Sequence, residues 1–181
     1  MERTRSSTLP HPAHYASSLP SPNGTGFILP HCPLPPANYV HARSIPSEYH
    51  TIFISGTSSQ GTDGTFAGCV TWLEVIHEMD CAAQTAAVLR KIEAVIRGAT
   101  SGVCGLESVV DATVYLVDFN RDYAAMNSEW NKVWPDRTRA PTRTCAQVMA
   151  LEDERMAVEI KCVAVVRGWR NEGLFDGVVG L

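Results

Sequence analysis

Two side chains with possible roles in chemistry lie on one predicted strand near the carboxyl end of the sequence. Period-two counting along Thr142 to Leu151 puts Arg143 and Cys145 on the same face of that strand. Arg143 follows Ala140-Pro141, and its guanidinium could bind a carboxylate through two parallel N–H groups. The sequence leaves alternatives open: a surface salt bridge for Arg143, and for Cys145 either a nucleophile or a small thiol lining the core.

A third candidate is Glu159, which lies inside the apolar run Val158-Glu159-Ile160. A carboxylate in such a run must either reach solvent or have a partner. Its functional interpretation is a general base or a group that orients water. Pairing with Lys161, two residues further on and on the same face, is the alternative.

The spacing of these residues has a consequence for any shared site. The segments Thr142 to Leu151 and Met156 to Val166 flank the charged turn Glu152 to Arg155, a pattern that predicts a β-hairpin. Counting along that hairpin places Arg143 and Glu159 about five positions out of step, or roughly 17 Å apart. One small substrate could not touch both within a chain. A site that used both would therefore be built from two subunits.

The elements that must position these residues follow from helical spacing and strand composition. They are a strand over Thr51 to Ser55, a helix capped by Asp80, a strand over Val109 to Val117, a helix over about Arg121 to Val133 and an additional strand over Tyr39 to Ile45. This order predicts an α+β fold in which a mixed β-sheet carries two helices on one face.

The other face of that sheet is also predicted to be buried. Val163 and Val165 project opposite to Cys162 and Ala164, so both faces of the last strand carry apolar groups. One layer of helices covers only one side of a sheet. We therefore expect the second face to pack against other copies of the protein.

The chain divides by composition into three parts. Residues 1–36 contain eight of the eleven prolines and no charged residue after Arg5, which predicts a disordered or loosely docked extension. Residues 37–167 form the predicted single domain, and residues 168–181 form a tail.

Several functional classes are disfavoured. A net charge of −4 gives no general reason to bind nucleic acid or an anionic membrane, and no apolar run is long enough to span a bilayer or to serve as a signal peptide. The six cysteines are scattered, which predicts reduced thiols and a cytoplasmic location. His77-Glu78 lacks a second histidine four residues after the first, so we expect no metal site.

Six short segments follow one another in order between about Tyr39 and Val166. They are Phe53-Ile54-Ser55-Gly56, then Gln84-Thr85 with Val88-Leu89 and Ile92, then Val109 to Asn120, then Asn127, then Pro141 to Cys145, and then Val158-Glu159-Ile160 with Val163-Ala164-Val165. Together they resemble the YjgF-like reactive-intermediate deaminase family. Each segment is weak alone, whereas the ordered set is specific to the family.

The resemblance implies a chorismate-mutase-like fold and a homotrimer with active sites between subunits. It further implies that Arg143 binds the substrate carboxylate and that Glu159 positions water. The residues it implies as the lining of the pocket are Tyr39, Ser55, Gly56, Asn127 and Cys145. The activity implied is a cofactor-independent hydrolase reaction, the deamination of a small enamine or imine acid. At Tyr39 this chain departs from the family, which usually has Gly-Pro where Ala37-Asn38 stands here.

A narrower resemblance is to the 2-aminomuconate deaminase subgroup. It is carried by His41-Ala42-Arg43, by Phe53 to Ser59, and by Asp63 with Thr65-Phe66. This subgroup implies 2-aminomuconate as the substrate. Two other functions remain as alternatives: a non-catalytic protein that binds a small carboxylate through Arg143, and an endoribonuclease, which the acidic charge balance disfavours.

Overall fold

The computed structural model describes residues 21–30, 34–72 and 76–168. Its elements are β1 (Thr25–Phe27), β2 (Ala42–Ser44), β3 (Tyr49–Thr57), β4 (Cys69–Trp72), β5 (Ile76–Met79), α1 (Cys81–Ala99), β6 (Val109–Leu116), α2 (Phe119–Val133), β7 (Thr142–Gln147) and β8 (Val158–Arg167). The main sheet has the order β3-β8-β6-β7, and two further pairs of strands, β1-β2 and β4-β5, stand apart from it. The mixed sheet with two helices confirms the predicted fold class.

Each of the two helices begins directly after an aspartate that caps its amino-terminal end. Asp80 caps α1 by accepting a 3.0 Å hydrogen bond from the Ala83 N–H, as the sequence predicts. Asp118 caps α2 in the same way through the Arg121 N–H at 3.0 Å. The second helix therefore begins at Phe119, two residues earlier than predicted.

The predicted hairpin of the last two strands is wrong. β7 pairs in parallel with β6, and β8 runs antiparallel between β3 and β6. The chain leaves the edge of the sheet after Gln147 and returns to its centre at Val158, so Glu152 to Arg155 lie in a crossing loop. Parallel β6 and β7 are joined through α2, the crossover that parallel strands require.

Side-chain composition explains why β8 takes the central place. A strand in the middle of a sheet is buried along most of its length and favours aliphatic residues, and seven of the ten residues of β8 are apolar. β7 instead carries threonines, Arg143 and Gln147, which suit an edge strand. The doubly apolar pattern of β8 that the sequence shows arises in part from this central position.

The predicted strand over Tyr39 to Ile45 does not join the main sheet. Its residues Ala42–Ser44 form β2, which pairs with β1, and β1 lies within the predicted proline-rich extension. Arg43 fixes this pair by donating hydrogen bonds to Asn23, Gly24, Thr138 and Ala140 at 2.6–3.2 Å. Residues 1–20 and 169–181 lie outside the described residues, and the domain limits remain a prediction.

The helices cover one face of the sheet and leave the other open in a single chain. The core between them is formed by buried side chains that include Val88, Ile92, Ile96, Val114, Met126, Trp130 and Ile160. On the opposite face Phe53 is 78% exposed, and its partner Val163 in β8 is half-buried. Burial of this face by other copies remains an expectation. No helix in the described ranges is long and apolar enough to cross a membrane.

The described cysteines form no disulfide, whereas Cys32 lies outside the described residues. Burial raises the pKa of Cys81 and of Cys162 to about 12, with smaller contributions from Asp122 and Asp111 respectively. Both thiols thus keep their protons in the folded protein at pH values where an unfolded thiol, with a pKa near 9, ionises.

The sign of the pH dependence follows from these raised pKa values. Stability is unaffected below pH 9 and falls between pH 9 and 12, by up to roughly 1.4 kcal/mol per pH unit for each thiol. We expect urea titrations of the wild type to show this fall, and the double variant Cys81→Ala/Cys162→Ala to show a shallower one. Equal slopes for both proteins would contradict the burial of these thiols.

Candidate functional site

Arg143 is buried between α2 and the segment that precedes β2. Its side chain is 9% exposed, with the guanidinium carbon 5.0 Å from the centre of the Tyr39 ring and 4.8 Å from that of Trp130. Nη2 donates a 2.7 Å hydrogen bond to Asn127 Oδ1, and Nη1 lies 3.5 Å from Met126 Sδ. The guanidinium is therefore held by two aromatic faces and one amide.

No carboxylate neutralises Arg143 among the described residues. Arg97, Arg121 and Arg155 each pair with a nearby carboxylate at 2.6–2.8 Å, whereas Arg143 has no ion pair and its Nε has no partner. Burial lowers the pKa of Arg143, an effect that its neighbouring phenols and thiol partly oppose. A buried cation without a counter-ion is costly, and a bound anion would remove that cost.

Two neighbours of Arg143, Tyr39 and Cys145, have raised pKa values. Burial raises the pKa of Tyr39; the nearby Tyr123 and Cys145 raise it further, and the charges of Arg143 and Arg137 act in the opposite direction. Burial also raises the pKa of Cys145, against the lowering effect of Arg143. A thiol with a raised pKa is a poor nucleophile, so the core-lining interpretation of Cys145 is favoured.

Hydrogen bonds from α2 and the chain that follows it fix the segment bearing Tyr39. Trp130 Nε1 donates to the Asn38 carbonyl at 2.8 Å, and the Asn38 amide donates to the Trp134 carbonyl at 2.9 Å. The Asn38 N–H also binds the Asn131 side chain at 3.0 Å. Tyr39 is thereby placed against Arg143 even though the usual Gly-Pro before the tyrosine is absent.

Glu159 lies on the opposite face of the sheet. Its register partner is Tyr115, whereas that of Arg143 is Ala112, and these two positions of β6 point to opposite faces because they are three residues apart. Ala112 is buried against the helices, and Tyr115 is half-buried on the open face. No ion pair joins Glu159 to Lys161 in the described part of the chain.

The separation of Arg143 from Glu159 therefore has a different origin from the predicted one. Their strands have β6 between them, which places them about 10 Å apart across the sheet and about 10 Å apart along it, on opposite faces. The inference that one small substrate cannot touch both within a chain stands, although the hairpin register on which it rested is wrong.

The predicted site residues thus fall into two groups. The arginine half-site comprises Arg143, Tyr39, Asn127 and Cys145 on the helix-covered face, where Cys145 follows Arg143 by two positions in β7. The glutamate half-site comprises Glu159, Ser55 and Gly56. At these residues the pairing of β3 with β8 has an irregular register.

Three residues at the arginine half-site are not among the site residues predicted from the sequence. Tyr123, Met126 and Trp130 belong to α2, and all three lie around the guanidinium. Asn127 and Trp130 are three residues apart in α2, so they lie on the same face of that helix. This spacing could have indicated their contact with Arg143 if the packing of α2 against β7 had been known.

Gly56 provides the space for the Glu159 side chain. A Cβ on Gly56 would lie 2.8 Å from Glu159 Cδ and closer still to Oε1. We expect Gly56→Ala to move the carboxylate and to reduce turnover about as much as Glu159→Gln does, with folding retained. The matched control is Gly98→Ala, an exposed position in α1 whose φ is not positive and where a Cβ would meet nothing within 4 Å. Full turnover of Gly56→Ala would contradict this placement of Glu159.

A surface cavity of about 620 Å³ is lined by Thr71, His77 and residues 152–155, and it includes neither Arg143 nor Glu159. Among the described residues no group of three or more histidine, cysteine or acidic side chains is arranged to hold a metal ion.

Comparison with known proteins gives a consistent result. Residues 31–166 match the family model described as Endoribonuclease L-PSP. A RutC family protein of Synechocystis is 37% identical over 94 residues, which cover 52% of this chain and 68% of that protein.

Solved structures show the same fold. The yeast protein YEO7 is 25% identical with a TM-score of 0.52, and the match covers 79% of this chain and 98% of that one. YyfB of Yersinia pestis, a Rid family protein of unknown function, is 21% identical with a TM-score of 0.63, over 79% of this chain and 99% of that one.

Proposed function

The chain belongs to the Endoribonuclease L-PSP family, which the YjgF and RutC proteins share, and we propose that it is a hydrolase that deaminates a small enamine or imine carboxylic acid. The observation that carries this proposal is the buried guanidinium of Arg143. Among the residues that the structure describes it has no counter-ion and its Nε has no partner, and Tyr39 and Trp130 flank it. Such a group binds a carboxylate in the geometry that planar recognition requires.

The proposed mechanism divides the work between the two half-sites. Arg143 fixes the substrate carboxylate, and the enamine tautomerises to an imine whose carbon is already electrophilic. Glu159 accepts a proton from water as the oxygen adds to that carbon, and the proton is returned to nitrogen. Collapse of the aminoalcohol breaks the C–N bond, and ammonia and a 2-oxo acid are released.

The half-sites act together only across a subunit boundary in this proposal. Arg143 and Glu159 lie on opposite faces of one sheet, so a substrate on Arg143 of one subunit would meet Glu159 of a neighbour. A homotrimer would supply this arrangement and would also cover the exposed Phe53 face. The substrate that the subgroup resemblance favours is 2-aminomuconate, and a cytoplasmic enzyme of catabolism is the corresponding setting.

Ammonia release tests the activity directly. Purified protein is given 2-aminomuconate, or an imine generated from serine or threonine, and the initial rate of ammonia formation is compared with the spontaneous rate. We expect acceleration of at least one substrate. No acceleration with either, together with calorimetric binding of small carboxylates, would identify a non-catalytic binding protein instead.

The name of the family model favours a second candidate, cleavage of RNA. The net charge of −4 and the small exposed fraction of Arg143 disfavour contact with a polynucleotide backbone. An RNA-cleavage assay with the wild type and Arg143→Ala decides between them: cleavage that the variant lacks would replace deamination as the proposed activity.

A further inference from the structure

We infer that Arg137 is a second anion-binding residue beside Arg143 and that it selects substrates with two carboxylates. This inference deepens the proposed function, because it assumes that the first carboxylate lies on Arg143. It concerns specificity, and so it can be tested by binding alone.

Arg137 and Arg143 contact opposite ends of the short segment formed by residues 35–39. Arg137 opens the 3-10 helix Arg137–Arg139 ahead of β7, and its Nη1 donates a 2.6 Å hydrogen bond to the Pro35 carbonyl. Four residues after Pro35, the ring of Tyr39 lies 5.0 Å from the Arg143 guanidinium. Residues 35–39 thus contact Arg137 at one end and Arg143 at the other.

The charge of Arg137 is available to a ligand. Among the described residues no carboxylate pairs with it, and its neighbour Asp136 instead accepts hydrogen bonds from the N–H and the hydroxyl of Thr138 at 2.9 and 2.7 Å. Its side chain is half-buried, and within the described part of the chain only one of its donors is engaged, by the Pro35 carbonyl.

Both cations act on a single phenol. The pKa of Tyr39 is raised chiefly by burial, and the charges of Arg143 and Arg137 are the two influences near it that lower that pKa. Two guanidinium groups whose charges both act on one hydroxyl are suited to a short ligand with an anionic group at each end. A monocarboxylate would occupy Arg143 and leave Arg137 unpaired.

An alternative role for Arg137 is to tether Pro35 and thus to keep Tyr39 in place. Arg137→Gln separates the two roles, because the amide retains a donor for the Pro35 carbonyl and loses the charge. The matched control is Arg139→Gln, which removes the same charge from the same short helix at an exposed position. Arg143→Met serves as the reference for loss of the first carboxylate site.

Calorimetry on the full chain with fumarate and with crotonate provides the test, because these planar acids differ in having two carboxylates or one. We expect Arg137→Gln to weaken fumarate binding about ten- to a hundredfold and to leave crotonate binding within about twofold. Arg139→Gln should leave the affinity for both acids unchanged. Arg143→Met should weaken both.

Three outcomes would overturn the inference. Equal weakening of fumarate and crotonate in Arg137→Gln would identify a tether, and unchanged binding of both would remove any role. An equal loss of fumarate affinity in Arg139→Gln would indicate general attraction by positive charge. These results are independent of turnover: selective loss of fumarate binding without any ammonia release would retain the second anion site and remove the deaminase proposal.

Discussion

Subunits that carry Arg143→Ala and subunits that carry Glu159→Gln, each inactive alone, are expected to regain about a quarter of the wild-type turnover when they are mixed in equal amounts and allowed to form trimers. The expectation follows from the two half-sites, which lie on opposite faces of the same sheet. A site made from Arg143 of one subunit and Glu159 of the next is intact only where a Glu159→Gln subunit supplies the arginine and an Arg143→Ala subunit supplies the glutamate.

The individual losses are expected to be large. In the proposed mechanism, Glu159→Gln removes the group that accepts the proton from water, a contribution of typically about 10² to 10⁴ in rate. In the same mechanism, Arg143→Ala removes the carboxylate anchor that orients the imine, and misplacement of a reacting group by about 1 Å costs on the order of a hundredfold. Against these low rates, a recovery to about a quarter of wild type is easily measured.

The measurement is the rate of ammonia release after the two variants are refolded together, with size-exclusion chromatography to establish the oligomer. The control is the double variant Arg143→Ala/Glu159→Gln refolded with either single variant, because such mixtures contain no intact combination of the two residues. Recovery that is absent in a mixture whose variants form the same oligomer would show that one chain supplies both residues. A fully active monomer would contradict the shared site directly.

The sequence was sufficient to predict those parts of the fold that depend on local chemistry. Asp80 caps α1 at the predicted residue, and the apolar residues that recur along α1 and α2 cover one face of the sheet. Local patterns could not show which strands pair. Two strands separated by the charged segment 152–155 predict a hairpin, yet β6 already supplies a parallel partner for β7 and an antiparallel partner for β8.

The candidate site shows the same division. The sequence identified Arg143 and Glu159 as candidate site residues. It could not show that the Arg143 guanidinium lies between Tyr39 and Trp130, which are 91 positions apart in the chain. Contacts of that kind depend on the packing of α2 against β7 and of residues 35–39 against α2. Arg137 was not identified from the sequence, because nothing local distinguishes it from Arg139.

Substitution of Gln84 is expected to have the largest effect on stability. Gln84 in α1 is fully buried, and its amide spans the loop by which the chain crosses from β7 to the centre of the sheet. The Gln84 Nε2 donates to the Arg155 carbonyl at 2.7 Å, and its Oε1 accepts from the Ala157 N–H at 2.8 Å. This one side chain therefore holds the crossing loop beside the start of β8.

We expect Gln84→Met to lower the free energy of unfolding by about 2 to 5 kcal/mol, measured by urea denaturation. The methionine has a similar volume, so the loss arises mainly because the buried Ala157 N–H and the partly buried Arg155 carbonyl lose their hydrogen-bond partner, at about 1 to 3 kcal/mol for each group left unsatisfied. Arg90→Met, on the exposed side of the same helix, controls for the new side chain and should change stability by less than about 0.5 kcal/mol.

Hydrogen exchange locates the effect. Amides at the start of β8 should lose protection in Gln84→Met before those of β3, since the crossing loop leads directly into β8. A uniform loss of protection would assign the effect to α1 packing, and a loss of stability below about 1 kcal/mol would show that the loop is held by other contacts.

The glutamate half-site depends on the same strand, because Glu159 is the second residue of β8. If Gln84 fixes that strand, Gln84→Met should also reduce turnover, although Gln84 belongs to neither half-site.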